Sequence, residues 1–333
     1  MTERHPDLSD IFAARQAIRG VAVETPVIRS ALSTPQAPLW LKLEMLQPSG
    51  AFKLRGAANA LAQLTEAEQQ RGVVCCSTGN HGTAVAYAAA RMGIPATVCL
   101  SELVPDVKVR AIEAQGATVH REGRSQDDAQ RAADKMVEED GRTDIPPFDH
   151  PDVIAGQGTI GLELLQELPN LETLLIPLSG GGLAAGIAVA AKTIKPSIRL
   201  VGISMDRGAA MAESLKAGHP VEVTEVASLA DSLGGGIGLK NRHTFALCRD
   251  LLDEVVLLTE QEIYRGLAAL YREDRVVAEG ACAVGHAAII AGKVTLTGPT
   301  ATIITGRNVD MDQFTRVVTG QPVKLGDVTL EGA

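Results

Sequence analysis

Val73-Val74-Cys75-Cys76-Ser77-Thr78-Gly79-Asn80-His81-Gly82 reads as a short apolar strand, a hydroxyl-bearing glycine turn, and the start of an alanine-rich helix to about residue 92. Further on, Ala96 to Leu100 is a strand and Pro105 to Gln115 a helix, with proline in its first turn and Gly116 at its end. Thr118 to His120 is a strand, and Ser125 to about Glu138 a helix. Strands alternating with helices over short links form a βαβα unit and predict a parallel sheet covered on both faces.

Upstream, residues 8–19 read as a helix capped by Ser9 or Asp10, and Leu39 to Leu43 as a strand. A helix runs from Arg55 to about Gln69. Downstream, Gly141 to Pro151, with Pro146-Pro147, reads as a crossing between domains. The alternation then resumes, with helices at 158–168, 183–194, 260–273 and 280–292 and strands at 171–178, 198–203, 254–258 and 300–304. Gly234-Gly235-Gly236 marks an irregular loop that either borders a site or forms a surface turn.

Across 333 residues the chain is 45% hydrophobic and 3% aromatic, so its core is built from Ala, Val, Leu and Ile, and the length predicts two domains or one large α/β unit. The net charge of −9 comes without a basic block, which argues against nucleic acid or an anionic membrane as partner. The N-terminal residues lack the apolar run of a signal peptide, and no stretch is long and apolar enough to span a membrane. Five cysteines, an odd number without zinc-site spacing, predict buried free thiols in a reducing cytoplasm.

Four short motifs carry chemistry. In Pro48-Ser49-Gly50-Ala51-Phe52-Lys53-Leu54-Arg55-Gly56, a lysine sits between a turn and a helix start, a poor place for a solvated cation. Burial there would lower its pKa and free the amine for Schiff-base chemistry, although a solvated lysine is the commoner case. Ser77 to Gly82 occupies the strand-end, helix-start position where α/β sheets bind ligands, and its amides suit an anion; an ordinary N-cap would look the same. Leu178-Ser179-Gly180-Gly181-Gly182-Leu183 follows a strand and opens a helix, where glycine amides approach a phosphate. Gly180, Gly182 and Ala185 also satisfy the loose dinucleotide pattern, with Asp206 near the place of a ribose-binding acid, so this loop alone admits an NAD-dependent oxidoreductase. Ile304-Thr305-Gly306-Arg307-Asn308 ends the last strand and offers either one hydroxyl to the same cleft or a plain β-turn.

In their order and spacing, these motifs resemble the fold-type-II pyridoxal-phosphate enzymes, in particular the serine/threonine dehydratase and serine racemase group, from about residue 8 to the last strand. The resemblance implies a tryptophan-synthase-β-like α/β fold of two domains, each with a mostly parallel sheet flanked by helices. Residues 1–70 and 151–333 would form the large cofactor domain, and 71–150 a small mobile substrate domain. Lys53 would carry pyridoxal 5'-phosphate as a Schiff base, with Phe52 beside the ring. Asn80 would bond its phenolic oxygen. Gly180, Gly181, Gly182 and Leu183 would hold its phosphate, with Ser179 where relatives often have another glycine. Thr305 would meet the ring nitrogen. Ser77, Thr78, Gly79 and His81 would grip the substrate carboxylate. The implied reaction is β-elimination from a hydroxy amino acid by a homodimer.

Two departures qualify the resemblance. Racemases of the group carry a serine where this chain has Thr78, a stiffer β-branched hydroxyl that makes racemase activity doubtful. The stretch Gly202 to Ala210 keeps only Asp206 of the carboxylates that hold a divalent cation in several relatives, so no metal is expected. No regulatory domain like that of allosteric biosynthetic threonine dehydratases is expected after the last strand. Residues 123–130, 147–151 and 230–236 look like the dehydratases of hydroxyectoine utilisation. L-Threonine or L-serine deamination, or serine racemisation, stays open as the alternative.

Overall fold

The computed structural model describes residues 4–332 of the chain. Helix α1 (Leu8–Ala17) begins at Asp7, whose carboxylate accepts from the Ser9 and Asp10 amides, so the cap precedes both expected caps. Strands β1 (Val27–Arg29) and β2 (Leu39–Lys42) follow. Lys53 opens α2 (Lys53–Ala62) instead of preceding it. The single helix expected to Gln69 is interrupted, because Thr65 and Glu68 form a reciprocal capping box that starts α3 (Glu66–Arg71).

Strand β3 (Val73–Cys76), α4 (Asn80–Met92), β4 (Ala96–Leu100), α5 (Asp106–Glu113), β5 (Thr118–Arg121) and α6 (Gln126–Asp140) follow the expected alternation. The crossing expected from Gly141 contains a short strand, β6 (Thr143–Asp144), paired to β3. Helix α7 (Pro151–Glu167) starts at Pro151 instead of Gly158, because His150 caps it and proline suits the first helical position. Then come β7 (Thr173–Pro177), α8 (Gly182–Ile194), β8 (Arg199–Met205), α9 (Ala210–Ala217), α10 (Thr244–Leu251), β9 (Glu254–Leu258) and α11 (Glu260–Asp274). The helix expected over 280–292 is entered through a 3-10 turn at Gly280–Ala283, which leads into α12 (Val284–Ile290). Strand β10 (Thr300–Ile303), α13 (Met311–Val318) and the hairpin of β11 (Val323–Leu325) and β12 (Val328–Leu330) end the fold.

The strands form two open sheets. The six-stranded sheet runs β1-β2-β10-β7-β8-β9 and is parallel except where β1 meets β2. The four-stranded sheet runs β5-β4-β3-β6 and is parallel throughout. In the first, β7, β8 and β9 step toward one edge while β10 returns to the other side of β7. In the second, β3, β4 and β5 step one way and β6 lies on the other side of β3. A ligand crevice opens beyond the carboxyl ends of strands at such reversals.

Helices α1, α7 and α8 bury Ile11, Ile154 and Ile187 on one face of the large sheet, while α11, α12 and α13 bury Leu267, Val284 and Phe314 on the other. Leu54 and Leu61 of α2 pack with Val85 and Val98 of the small sheet's core. Helix α2 meets α7 closely: a Cβ on Gly156 would lie 2.5 Å from the Arg55 carbonyl oxygen. Arg55 is fully buried and bonds Glu44 at 2.7 Å and Glu163 at 2.8 Å. Lys42 donates to Glu163 at 2.6 Å. Two cations and two anions therefore neutralise one another in the interior, which a buried charge requires.

Candidate active site

Strands β2, β10 and β7 are neighbours, and the segments after their carboxyl ends reach one cavity of about 280 Å³. After β2 come Phe52 and Lys53, after β7 Ser179 to Leu183, and after β10 Thr305, all of which line it. From the small sheet, the turn after β3 and the start of α4 contribute Ser77, Gly79, Asn80 and His81, and the segment after β6 contributes Pro147 and Phe148. The cavity thus lies where the reversals of both sheets face each other. Of the expected site residues, Thr78 alone lines a neighbouring cavity of about 460 Å³ instead, which shares Gly79, Asn80 and Ser232 with the first.

The lysine amine is partly buried. Its Nζ donates to the Pro147 carbonyl at 2.7 Å and lies 5.4 Å from the Phe52 ring centroid. Removal from water disfavours the ammonium and lowers the Lys53 pKa from 10.5 to about 8. A useful share of free amine is then present near neutrality.

The glycine loop cannot carry side chains. Gly181 has φ +90°, and a Cβ there would lie 2.7 Å from Met211 Cε and 3.0 Å from Thr244 Cβ. Cβ atoms on Gly180 and Gly182 would meet Phe148 at 2.5 and 2.9 Å. The backbone is therefore bare at the N-terminus of α8, whose first-turn amides have no intrahelical acceptor and carry the positive end of the helix dipole. Such a cradle fits a phosphate. The Ser179 hydroxyl donates to the Gly234 carbonyl at 3.4 Å.

Asn80 is held by a network that the sequence did not reveal. Its Nδ2 donates to both Glu279 carboxylate oxygens at 3.0 Å, and its Oδ1 accepts from Asn308 Nδ2 at 2.7 Å. Those two neighbours dictate which way the amide faces; the two oxygens of one carboxylate lie on the same side of Nδ2 and share one N–H, which leaves the other for a ligand. Ser232 also donates to Glu279, at 3.1 Å. Burial, aided by Asp231, raises the Glu279 pKa. The signal available in the sequence was a carboxylate inside the apolar run Val276-Val277-Ala278-Glu279-Gly280-Ala281. Phe148 and Ser232 sat within stretches already singled out, but nothing local assigned them to the cavity. The run Gly234 to Gly236 borders the cavity and is no remote surface turn.

His81 is 4% exposed, and its Nε2 lies 2.7 Å from the Ile145 carbonyl, an acceptor, so Nε2 carries the hydrogen. Burial, then the charge of Lys53, pushes its pKa down to about 3. His81 therefore contributes shape and hydrogen bonding here and no positive charge. Thr305 is 5% exposed, and its carbonyl accepts from the Phe52 amide at 2.9 Å, which ties it to the lysine turn. Asp206 is exposed at the end of β8, outside the cavity lining. Among the described residues no group of three or more His, Cys, Asp or Glu side chains gathers as a metal site, and no helix is long and apolar enough to cross a membrane. All five cysteines are free, with Cys76 alone not fully buried.

The chain is similar to known proteins along most of its length. The family model described as pyridoxal-phosphate dependent enzyme matches residues 18–306. A Sinorhizobium fredii protein that carries the provisional name of threonine dehydratase is 50% identical over 94% of this chain and 95% of its own length. The catabolic L-threonine dehydratase of Escherichia coli is 38% identical over 93% of this chain and 95% of its own. The solved structure of maize serine racemase superposes with a TM-score of 0.86 at 31% identity, covering 95% of this chain and 98% of that one.

Proposed function

Because the chain belongs to the pyridoxal-phosphate dependent enzymes, as a fold-type-II lyase of the threonine and serine dehydratase type, we propose that it removes the β-hydroxyl of a β-hydroxy α-amino acid derived from opened hydroxyectoine. The observation that carries the reaction class is the gathering of Lys53, Asn80, the glycine loop and Thr305 around one cavity. When bound, pyridoxal phosphate supplies an electron sink for the pair left at the substrate Cα.

The protein's own groups do the rest. The amides of Gly180 to Leu183 hold the phosphate, and Phe52 borders the ring. Asn80, oriented by Glu279 and Asn308, donates to the phenolic oxygen. Thr305 meets the ring nitrogen as a neutral partner, unlike a carboxylate, so a long-lived charge at Cα is disfavoured and prompt loss of the β-group is favoured. Ser77, Thr78, Gly79 and His81 hold the substrate carboxylate. The Lys53 amine, free in part at neutral pH, takes the proton from Cα. The β-hydroxyl leaves as water with the proton that Lys53 Nζ took from Cα, and the unsaturated product hydrolyses to a 2-oxo acid and ammonia.

Three considerations support this substrate. Residues 147–151 and 230–236 look like the hydroxyectoine branch, and Pro147, Phe148 and Ser232 to Gly236 line the cavity. The adjoining 460 Å³ cavity leaves room beyond a threonine-sized molecule. Intact hydroxyectoine holds its α-nitrogen in a ring amidine, so the ring must be opened to a γ-acetylated compound with a free α-amine. Residues 71–150 act as the mobile lid over the larger part, in a cytoplasmic homodimer. The names of the relatives support L-threonine as the second reading. The test compares the opened acetylated compound, L-threonine, L-serine and intact hydroxyectoine on the purified enzyme, with 2-oxo acid and ammonia as readout. The opened compound should give the highest kcat/KM. Turnover of the intact ring with no hydrolase present, or a preference for threonine, overturns the substrate assignment.

A further inference from the structure

The reading of Thr305 as the ring-nitrogen partner leaves a neighbouring group unused. Cys282, fully buried in the 3-10 turn Gly280–Ala283, lies beneath the Thr305-Gly306 turn. Its Sγ is 3.2 Å from Thr305 Oγ1, 3.1 Å from the Gly306 nitrogen and 3.0 Å from the Gly306 carbonyl oxygen. A thiol gives one hydrogen and accepts weakly. The Gly306 amide only donates, so Sγ accepts from it. The thiol hydrogen then has two claimants. The Gly306 carbonyl already receives the Glu279 amide at 3.0 Å, which takes one of its two lone pairs; with the thiol hydrogen on the other, the Thr305 hydroxyl would have to donate to Sγ. Among the described residues, Thr305 Oγ1 has this thiol as its hydrogen-bonding neighbour.

We propose that Cys282 is a positioning residue: its S–H donates to Thr305 Oγ1 and so turns the Thr305 hydroxyl hydrogen out into the cavity, toward the ring nitrogen. The Thr305 backbone is already fixed, since its carbonyl accepts from Phe52 and Gly306 bridges Ala51. The torsion of the hydroxyl hydrogen is the freedom that remains, and the thiol removes it. Burial, then the nearby Glu279, pushes the Cys282 thiol up to about 12, so it keeps its hydrogen at physiological pH. A neutral donor held in this way favours an unprotonated ring nitrogen, in keeping with elimination.

The inference rests on the role assigned to Thr305, and four variants separate the two: Thr305→Val, Cys282→Ala, Cys282→Ser and the double variant Thr305→Val with Cys282→Ala. The readouts are the visible absorption band of the loaded protein and the affinity of the apo-protein for pyridoxal phosphate. Thr305→Val and Cys282→Ala should displace the band in the same direction and weaken affinity roughly three- to tenfold, the worth of one neutral hydrogen bond. Cys282→Ser, which still donates, should keep the wild-type band. The double variant should be no worse than Thr305→Val, because the two act as one unit. A displaced band in Thr305→Val with an unchanged band in Cys282→Ala makes the thiol a packing group and overturns the proposal alone. Additive losses in the double variant do the same. An unchanged band in Thr305→Val overturns the role of Thr305 and this inference together. If Cys282→Ala is unstable, Cys282→Val against Cys282→Thr, nearly the same in shape but different in hydrogen donation, gives the same decision.

Discussion

Raising the pH of the apo-protein from about 6 to about 10 should titrate one amine, Lys53, through the rate at which pyridoxal phosphate is captured. Two contacts favour its ammonium form: the 2.7 Å bond to the Pro147 carbonyl and the Phe52 ring 5.4 Å away. Burial opposes them and wins, setting the pKa at about 8 against 10.5 for an ordinary lysine. A difference of about 2.5 units is a factor of roughly 300 in free amine. At pH 7 about one-tenth of the molecules present a nucleophile, against about three in ten thousand for an exposed lysine. The assay is stopped-flow growth of the visible band at fixed, sub-saturating cofactor, with Lys53→Ala as the blank. The rate should climb about tenfold per pH unit at first, bend near pH 8 and then level off. A rate still climbing log-linearly past pH 10 would mean an ordinary lysine and would refute the desolvation argument. The same shift has a stability consequence. With the folded pKa lowered, the folded state binds fewer protons than the unfolded one between about pH 8 and 10.5, so apo-protein stability rises with pH through that window.

Arg55→Met should leave Glu44 and Glu163 buried with only Lys42 as compensation, costing about 3–5 kcal/mol in urea unfolding. The deficit should shrink in acid. In the wild type, burial tends to raise the Glu44 pKa but the Arg55 charge holds it below its usual range, so this stabilisation is present at neutral pH and lost as pH falls. A variant as stable as wild type would show that the network is dispensable. Gly181→Ala forces a side chain onto φ +90° and against Met211, which should displace the phosphate cradle and weaken pyridoxal phosphate binding tenfold or more while Lys53 still gives the visible band at saturation. Unchanged affinity would remove the glycine loop from the phosphate site.

The alternation of β3, α4, β4, α5, β5 and α6 was legible because each segment is short, apolar and punctuated, so local chemistry and final structure coincide. The boundaries that differed have local causes of their own. Thr65 with Glu68 restarts a helix, and His150 with Pro151 begins one early; both are capping signals weaker than the apolar pattern around them. Strand β6 was invisible because two residues have no periodicity and become a strand only by pairing with β3.

The sequence by itself determined the layered α/β class and the four motifs, because glycine conformational freedom, helix-start amides and a lysine at a turn are properties of a few consecutive residues. Only the tertiary structure decided what those residues become. Lys53 acquires a pKa of about 8 because segments from both sheets exclude water around it, and Pro147, which accepts its hydrogen bond, lies far along the chain. Asn80 faces one way because Glu279 and Asn308 reach it from the other sheet's connections. Thr305 lies against a buried thiol, Cys282, that is 23 positions away in the sequence. Hydrogen-bond direction and desolvation depend on neighbours distant in sequence, and no spacing rule along one chain records them.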